Sequence, residues 1–137
     1  MKRFLTLSLV AAVALSLSAF AFAGEKKDQK VEDISIKDLK KAIEEKKVTV
    51  IDVNGTDSYK EGHVPTAIDY EANAKKLKEV LPKEKDALIV AYCGGPQCGA
   101  YKTAAKAAMA LGYTNVKHLS AGISGWKSAG EKVEKAG

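Results

Sequence analysis

The stretch from Ala87 to Leu111 constrains the fold of this chain more than any other part of the sequence. It opens with an apolar run, Leu88 to Tyr92, of the kind found in strands that are buried on both faces of a parallel sheet. Cys93 ends this run, Gly95-Pro96 indicates a turn, and an alanine-rich helical segment begins at Gly99. A strand, a tight loop and a helix in this order predict an α/β domain with a site at the carboxyl end of the strand.

Cys93 gives that site its chemistry. The backbone N–H groups of the loop and the positive end of the following helix both favour an anion. The same field favours a thiolate over a thiol, and therefore lowers the pKa of a cysteine in this position. The sequence around Cys93 therefore predicts that its sulfur acts as a nucleophile. The alternative at this stage is a structural cysteine that forms a disulfide with Cys98.

The first 23 residues have the layout of a secretory signal peptide. Lys2 and Arg3 precede an uncharged apolar run, which ends in the A-x-A cleavage pattern of residues 21–23. An uncleaved membrane anchor is the competing interpretation, because the apolar run is nearly long enough to span a bilayer. We expect cleavage, export to a periplasm, and a mature chain of residues 24–137 that forms one domain without membrane contact.

Strands and helices are predicted to alternate throughout residues 24–137, which implies right-handed crossovers and a mostly parallel sheet. Helices are expected after an N-cap at Ser35, over Ala72–Leu81, from Gly99 to Leu111, and over Gly122–Ala129. The charged tail Glu131–Gly137 is expected to fray. The fold class is therefore a three-layer α/β domain with about five strands and helices on both faces. The predicted strands are Val31–Ile34, Val48–Val53, Ala67–Tyr70, Leu88–Tyr92 and Asn115–Leu119.

The order and spacing of four segments resemble the rhodanese-like domain family. These segments are IDV at Ile51–Val53, YKEGHVPTAI at Tyr59–Ile68, VAYCGGPQC at Val90–Cys98, and GYTNVKHLSAGISGW at Gly112–Trp126. The resemblance implies the rhodanese fold and a persulfide-forming cysteine at position 93, cradled by the loop. Asp52 can orient groups near the site, but the favoured interpretation is a polar residue at a strand end, whereas His63 is expected to fix its own loop by hydrogen bonds. The residues expected to contact substrate are Gly94, Gly95, Pro96, Gln97, Gly99 and Lys102.

The chain lacks the arginine residues that the family pattern has at the loop and near Asp52. Phosphatases and arsenate reductases of this fold end the loop in arginine, whereas this chain has Gly99 there and no arginine after Arg3. Phosphoryl chemistry needs a bidentate cation against the oxyanion, so a phosphatase is disfavoured. Binding of the thiosulfate dianion is weakened for the same reason, although Lys102 can substitute in part as a point charge. Asn54 replaces a common arginine, and Ala121 replaces a common glycine.

Cys98 is the sixth residue of the loop and has three interpretations. It can be a resolving thiol that attacks a Cys93 persulfide, or half of a resting disulfide that a periplasmic reductant opens. It can also form a permanent structural bridge, which oxidising compartments favour. A bridge that encloses so few residues constrains the unfolded chain only slightly, and this favours sulfur or redox chemistry.

The sequence thus predicts a sulfurtransferase. The Cys93 thiolate would take sulfur from thiosulfate, a polysulfide or a persulfide, and a thiol or cyanide would accept it. No metal or organic cofactor is expected, because Cys93, Cys98, His63 and His118 form no compact ligand motif. Nucleic acid is not expected as a partner, because the net charge of +5 comes largely from scattered lysines. Two alternatives stay open: a binding module without turnover, and a thiol–disulfide redox protein that uses Cys93 and Cys98.

Overall fold

The computed structural model describes residues 30–136, so the predicted signal peptide lies outside the described residues. Within them, five parallel strands form one sheet in the order β1-β5-β4-β2-β3. This arrangement confirms the predicted three-layer α/β architecture. No helix in residues 30–136 has the length and apolarity that crossing a membrane requires. The strands are β1 (Glu32–Asp33), β2 (Thr49–Asp52), β3 (Ile68–Asp69), β4 (Ile89–Tyr92) and β5 (Val116–His118).

Helices connect the successive strands, a last helix follows β5, and the first helix begins at the N-cap that the sequence predicts. The Ser35 hydroxyl accepts a hydrogen bond from the Asp38 N–H at 3.0 Å and so caps the first helix. Gly112, with φ of +97°, takes the left-handed conformation that ends the helix over Tyr101–Ala110. The helices are α1 (Ile36–Glu44), α2 (Thr56–Glu61), α3 (Tyr70–Asn73), α4 (Leu77–Val80), α5 (Tyr101–Ala110) and α6 (Gly122–Ser128).

Alternate side chains of the central strands fill two separate cores. On one face of the sheet, Val50 and Val90 pack with Leu39 of α1 and Trp126 of α6. On the other face, Ile51, Ile89 and Ala91 pack with side chains of α4 and α5, including Ala104 and Ala108. Because both faces are covered, β4 is buried along its whole length and delivers Cys93 to the sheet's carboxyl edge.

The prediction of one helix over Ala72–Leu81 is wrong. The structure has α3, a 3-10 turn over Ala74–Lys76, and then α4. α3 begins two residues earlier than predicted because the Asp69 carboxylate accepts the N–H groups of Glu71 and Ala72. The Asn73 amide donates to the Asp69 carbonyl at 2.8 Å, and the backbone of Asn73 leaves helical geometry. Such side-chain bonds to the local backbone compete with a continuous helix.

The prediction that the C-terminal tail frays is also wrong for residues 131–136. The backbones of His63 and Glu134 exchange two hydrogen bonds of 2.9 Å as an antiparallel bridge. The buried Trp126 indole donates to the Lys132 carbonyl at 2.8 Å, and Val133 packs against the core. The tail therefore satisfies polar groups that would otherwise be buried without partners.

Deletion of residues 131–137 is expected to lower the free energy of unfolding by about 2–4 kcal/mol, because the Trp126 indole and the His63 backbone lose their partners. Urea denaturation of the two chains measures the difference. The matched control is Lys135→Ala, a change at an exposed tail residue, which should stay within about 0.5 kcal/mol of the native chain. Equal stability of the truncated and native chains would contradict the role given to the tail.

Candidate active site

Cys93 follows β4 directly, at the carboxyl edge of the sheet and between the ends of β2 and β5. Cys93 is buried, with only 3% of its surface exposed to solvent. Its carbonyl accepts the Ile123 N–H at 3.0 Å, and the Gly94 carbonyl accepts the Ser124 N–H at 3.0 Å. The first turn of α6 therefore holds the start of the cysteine loop, which comprises residues 93–99.

Cys93 and Cys98 form a disulfide, with their Cα atoms 6.3 Å apart. A turn reverses the chain between them, because the Cys98 N–H donates to the Gly95 carbonyl at 3.1 Å. Cys93 is buried, whereas Cys98 is partly exposed. The structure thus contains the oxidised form of the loop, and Cys93 can act as a nucleophile only after this bond opens.

The cysteine loop carries backbone N–H groups that donate to no other group among residues 30–136. The helix that follows has no side-chain cap and no acidic residue in its first turn, so its positive end is not neutralised there. Lys102 lies exposed in this first turn and adds a positive charge. An anionic sulfur species would be stabilised by these groups. Within residues 30–136, the free N–H groups of the loop are those of Cys93, Gly94, Gly95, Gln97 and Gly99.

Gly122, the first residue of α6, touches this loop more closely than any side chain would allow. A Cβ atom at this position would lie 2.5 Å from the Gly95 nitrogen and 2.7 Å from the Cys93 carbonyl oxygen. Its φ of +62° also lies in the left-handed region that favours glycine. The sequence alone does not reveal this contact, because Gly122 is 29 positions from Cys93 in the chain.

Asp52 lies behind the cysteine loop in a buried network. Its Oδ2 accepts the Tyr92 hydroxyl at 2.5 Å, and its Oδ1 accepts the Asn54 N–H at 2.8 Å. The Tyr92 hydroxyl in turn accepts the Val64 N–H at 2.9 Å. Burial raises the pKa of Asp52 above its ordinary value of 3.8, and the bonds from Tyr92 and Asn54 oppose that rise. The carboxylate therefore fixes the turn at Asn54, whose amide oxygen lies near Gly94.

His63 is buried next to α2. Its Nδ1 lies 2.7 Å from the Tyr59 carbonyl oxygen, and its ring stacks on Tyr59 with centroids 3.7 Å apart. Its Nε2 lies 3.7 Å from the Glu134 carboxylate. These contacts tie the segment before β3 to α2 and to the C-terminal tail. The structure thus brings the cysteine loop and Lys102 together at the edge of the sheet, with Asp52 behind the loop and His63 beside α2.

A model of the family described as Rhodanese-like domain matches residues 35–129. The chain belongs to the rhodanese-like domain family. The match confirms the family inferred from the four sequence segments, and its range includes every predicted site residue, from Asp52 to Lys102.

Solved structures agree with this assignment. The BH2092 protein from Bacillus halodurans is 32% identical, with a TM-score of 0.60 over 76% of this chain and 77% of that one. The fold is also that of a thiosulfate sulfurtransferase from Pseudomonas aeruginosa, with a TM-score of 0.65 and 22% identity over 77% of this chain and 20% of that one. These likenesses confirm the rhodanese-like α/β fold.

A curated relative places a similar sequence inside a longer protein. The HTH-type transcriptional regulator Rv0324 of Mycobacterium tuberculosis is 37% identical over 90 residues, which are 64% of this chain and 38% of the regulator. The rhodanese-like chain therefore spans less than two fifths of the length of this relative.

Tyr101 and His118 form a pair at the start of α5 that the sequence analysis missed. Their rings stack with centroids 4.1 Å apart, and His118 Nδ1 is buried without a hydrogen-bond partner in the described part of the chain. Burial lowers the pKa of His118, Lys102 lowers it further, and Asp33 opposes both. The pairing of β4 with β5 is the signal that could have placed His118 near the site, because His118 pairs with Ala91, two residues before Cys93.

The rhodanese-like domain shows no cluster of three or more His, Cys, Asp or Glu side chains that could hold a metal ion among residues 30–136. A cavity of about 330 Å³ lies at the amino end of β5, near Glu32 and Met109. No predicted site residue lines it, so the cysteine loop remains the candidate active site.

Tyr92→Phe is expected to lower the free energy of unfolding by about 2–3 kcal/mol at neutral pH, because it removes a hydrogen bond to a buried carboxylate and leaves the Val64 N–H unpaired. The loss should shrink near pH 4. Since the folded pKa of Asp52 is raised, its contribution to stability is complete below pH 3.8 and is lost as the pH rises through the folded value. Without the Tyr92 donor that pKa rises further, so the variant loses stability over a wider pH range.

Urea denaturation at pH 4 and pH 7 measures both effects. The matched control is Tyr113→Phe, which removes the hydroxyl bonded to the neutral Pro82 carbonyl and should cost the same at both pH values. If the Tyr92→Phe loss is equal at both pH values, Tyr92 does not control the ionisation of Asp52.

Proposed function

We propose that this rhodanese-like domain is a sulfurtransferase in which Cys93 carries the transferred sulfur. The observation that carries the proposal is the position of this cysteine. It lies at the carboxyl end of the central strand, in a loop whose free N–H groups and adjacent helix end favour an anion. The same donors would stabilise the Cys93 thiolate before the reaction and the persulfide anion after it.

The reaction begins once a thiol reductant has converted the Cys93–Cys98 disulfide into two thiols. The Cys93 thiolate attacks the outer sulfur of thiosulfate, the sulfur–sulfur bond of thiosulfate breaks, and sulfite leaves with the bonding electron pair. Cys93 then carries one additional sulfur as a persulfide. An acceptor thiol or cyanide attacks this outer sulfur and restores the Cys93 thiolate, so the enzyme reacts in two half-reactions.

The loop also bears on the choice of donor. Lys102 is the cation nearest to the loop in sequence, and the loop itself contains no arginine. A flexible point charge binds a dianion less specifically than the planar fork of arginine. Polysulfides and low-molecular-weight persulfides, which carry charge on a terminal sulfur, are therefore proposed as donors alongside thiosulfate.

The proposed place of this activity is the periplasm, on the basis of the signal-peptide pattern in residues 1–23. An exported enzyme with an oxidisable cysteine pair needs a reductant in that compartment, so a periplasmic thiol reductant is the proposed partner. The alternative function is a module that binds a sulfur compound or a partner protein without turnover. Similarity to a segment of a transcriptional regulator is compatible with that alternative.

Steady-state kinetics with thiosulfate and cyanide test the proposal. The assay uses the reduced native chain and the Cys98→Ser variant, which cannot close the disulfide. Double-reciprocal plots at several cyanide concentrations should give parallel lines, as a covalent intermediate requires. Intersecting lines would contradict the persulfide intermediate, and binding of thiosulfate without thiocyanate formation would support the module without turnover.

A further inference from the structure

We propose that Cys98 is an internal acceptor, which attacks the Cys93 persulfide, expels hydrosulfide and closes the disulfide seen in the structure. This inference rests on the proposed function, because it needs sulfur on Cys93. It adds a second activity to the chain, namely the release of sulfide from a sulfane sulfur donor at the expense of two thiols. Of the three interpretations of Cys98 that the sequence leaves open, the structure favours the resolving thiol.

Cys98 lies close enough to Cys93 to attack it within the same loop. The turn closed by the Cys98 N–H and the Gly95 carbonyl brings the Cα atoms of Cys93 and Cys98 to 6.3 Å, which is within the range of native disulfides. The bond between the two sulfur atoms shows that Cys98 Sγ reaches Cys93 Sγ without a change in fold. An attacking group held this close reacts as an intramolecular one, with a large advantage over a free thiol.

An external acceptor and Cys98 reach different sulfur atoms of the Cys93 persulfide. A persulfide has an inner sulfur, which is Cys93 Sγ itself, and an outer sulfur. Cys93 is 3% exposed, so an external acceptor meets the outer sulfur first. Cys98 is positioned to bond to the inner sulfur. Attack at the inner sulfur makes the outer one the leaving group, and hydrosulfide can leave because hydrogen sulfide is a stronger acid than an ordinary alkyl thiol.

The exposure of the two cysteines also determines how external thiols reduce the Cys93–Cys98 disulfide again. Cys98 is partly exposed whereas Cys93 is buried, so an external thiol attacks the Cys98 sulfur of the disulfide. Cys93 is then the leaving group, and it leaves as the thiolate that the next donor requires. The loop N–H groups and the start of α5 stabilise this thiolate. A second external thiol then frees Cys98 from the mixed disulfide.

The steps balance. Thiosulfate loads one sulfur on Cys93 and releases sulfite. The Cys98 thiolate forms a bond to Cys93 Sγ while the bond from Cys93 Sγ to the outer sulfur breaks, so the Cys98 sulfur is oxidised by one electron and the outer sulfur is reduced by one as it leaves as hydrosulfide. Two external thiols are oxidised to one disulfide when the pair is reduced again. The net reaction converts thiosulfate and two thiols into sulfite, hydrogen sulfide and one disulfide.

The test is a single turnover without oxygen, with the reduced protein freed from reductant and thiosulfate as the only added reactant. The native chain should release one sulfite and one sulfide per molecule and finish with no free thiol and no additional sulfur. Cys98→Ser should release one sulfite and at least tenfold less sulfide, and it should keep the sulfur until cyanide removes it as thiocyanate. Cys98→Ala and a thermal melt of each variant guard against misfolding.

The results separate this inference from the proposed function. If the native chain releases sulfite but keeps its sulfur and its Cys98 thiol, the internal acceptor is wrong while sulfur transfer through Cys93 stands. The same holds if Cys98→Ser and Cys98→Ala release sulfide as fast as the native chain. If neither thiosulfate nor a polysulfide loads sulfur on any folded form of the protein, both proposals are overturned.

Discussion

Replacement of Cys93 by serine is expected to lower the rate of sulfur transfer by at least about a thousandfold, the scale of effect seen when a covalent nucleophile is removed. A serine side chain has no sulfur with which to form a persulfide, and its hydroxyl is not ionised at neutral pH. The change is nearly isosteric at a position that is 3% exposed, so the fold should survive. Thiocyanate formation from thiosulfate and cyanide measures the rate.

Cys98→Ser is the matched control, because it removes the same disulfide and leaves Cys93 in place. It should retain sulfur transfer to cyanide within about tenfold of the reduced native chain, since its nucleophile is intact. If Cys93→Ser retains activity while Cys98→Ser loses it, the nucleophile has been assigned to the wrong cysteine. If both retain it, neither cysteine carries the sulfur.

Gly122→Ala is expected to lower the free energy of unfolding by about 2–5 kcal/mol, because two costs combine. A residue with a Cβ is strained at φ of +62°, and the new atom would overlap the backbone at Gly95 and Cys93. Backbone atoms cannot yield as a side chain tip can, so the cysteine loop itself must shift. The protein that remains folded should therefore also transfer sulfur more slowly.

Two other glycines separate these costs. Gly130 has φ of +75° and open space around its Cβ position, so Gly130→Ala measures strain alone and should cost about 1 kcal/mol. Gly99 lies in the cysteine loop with open space and without a left-handed backbone, so Gly99→Ala should be nearly neutral. Chemical denaturation of the three variants makes the comparison. A Gly122→Ala cost no larger than that of Gly130→Ala would contradict the close contact between α6 and the loop.

The sequence predicts the central features of the fold because these depend on local signals. The apolar run before Cys93 and the turn at Gly95-Pro96 place the loop, and both ends of each predicted strand lie within one residue of the observed ones. The capping pattern at Ser35 is equally local. The helix expected over Ala72–Leu81 fails because one carboxylate, Asp69, competes for the backbone in a way that periodicity does not reveal.

The features that the sequence did not predict depend on contacts between distant parts of the chain. The fit of Gly122 against Gly95 and the stacking of Tyr101 on His118 need the strand order before they can be inferred. The docking of the tail has the same cause, since only the folded chain brings Lys132 to the Trp126 indole. Charge and composition alone led to the prediction that the tail frays.

The most direct test of the account is the mass of the Cys98→Ser protein after reduction, treatment with thiosulfate and removal of excess donor. This variant isolates the first half-reaction, because its persulfide has no neighbouring thiol to resolve it. The account predicts a gain of one sulfur atom, located on the peptide that contains Cys93 and lost on treatment with cyanide. A folded variant whose mass does not change with thiosulfate or with a polysulfide would contradict it.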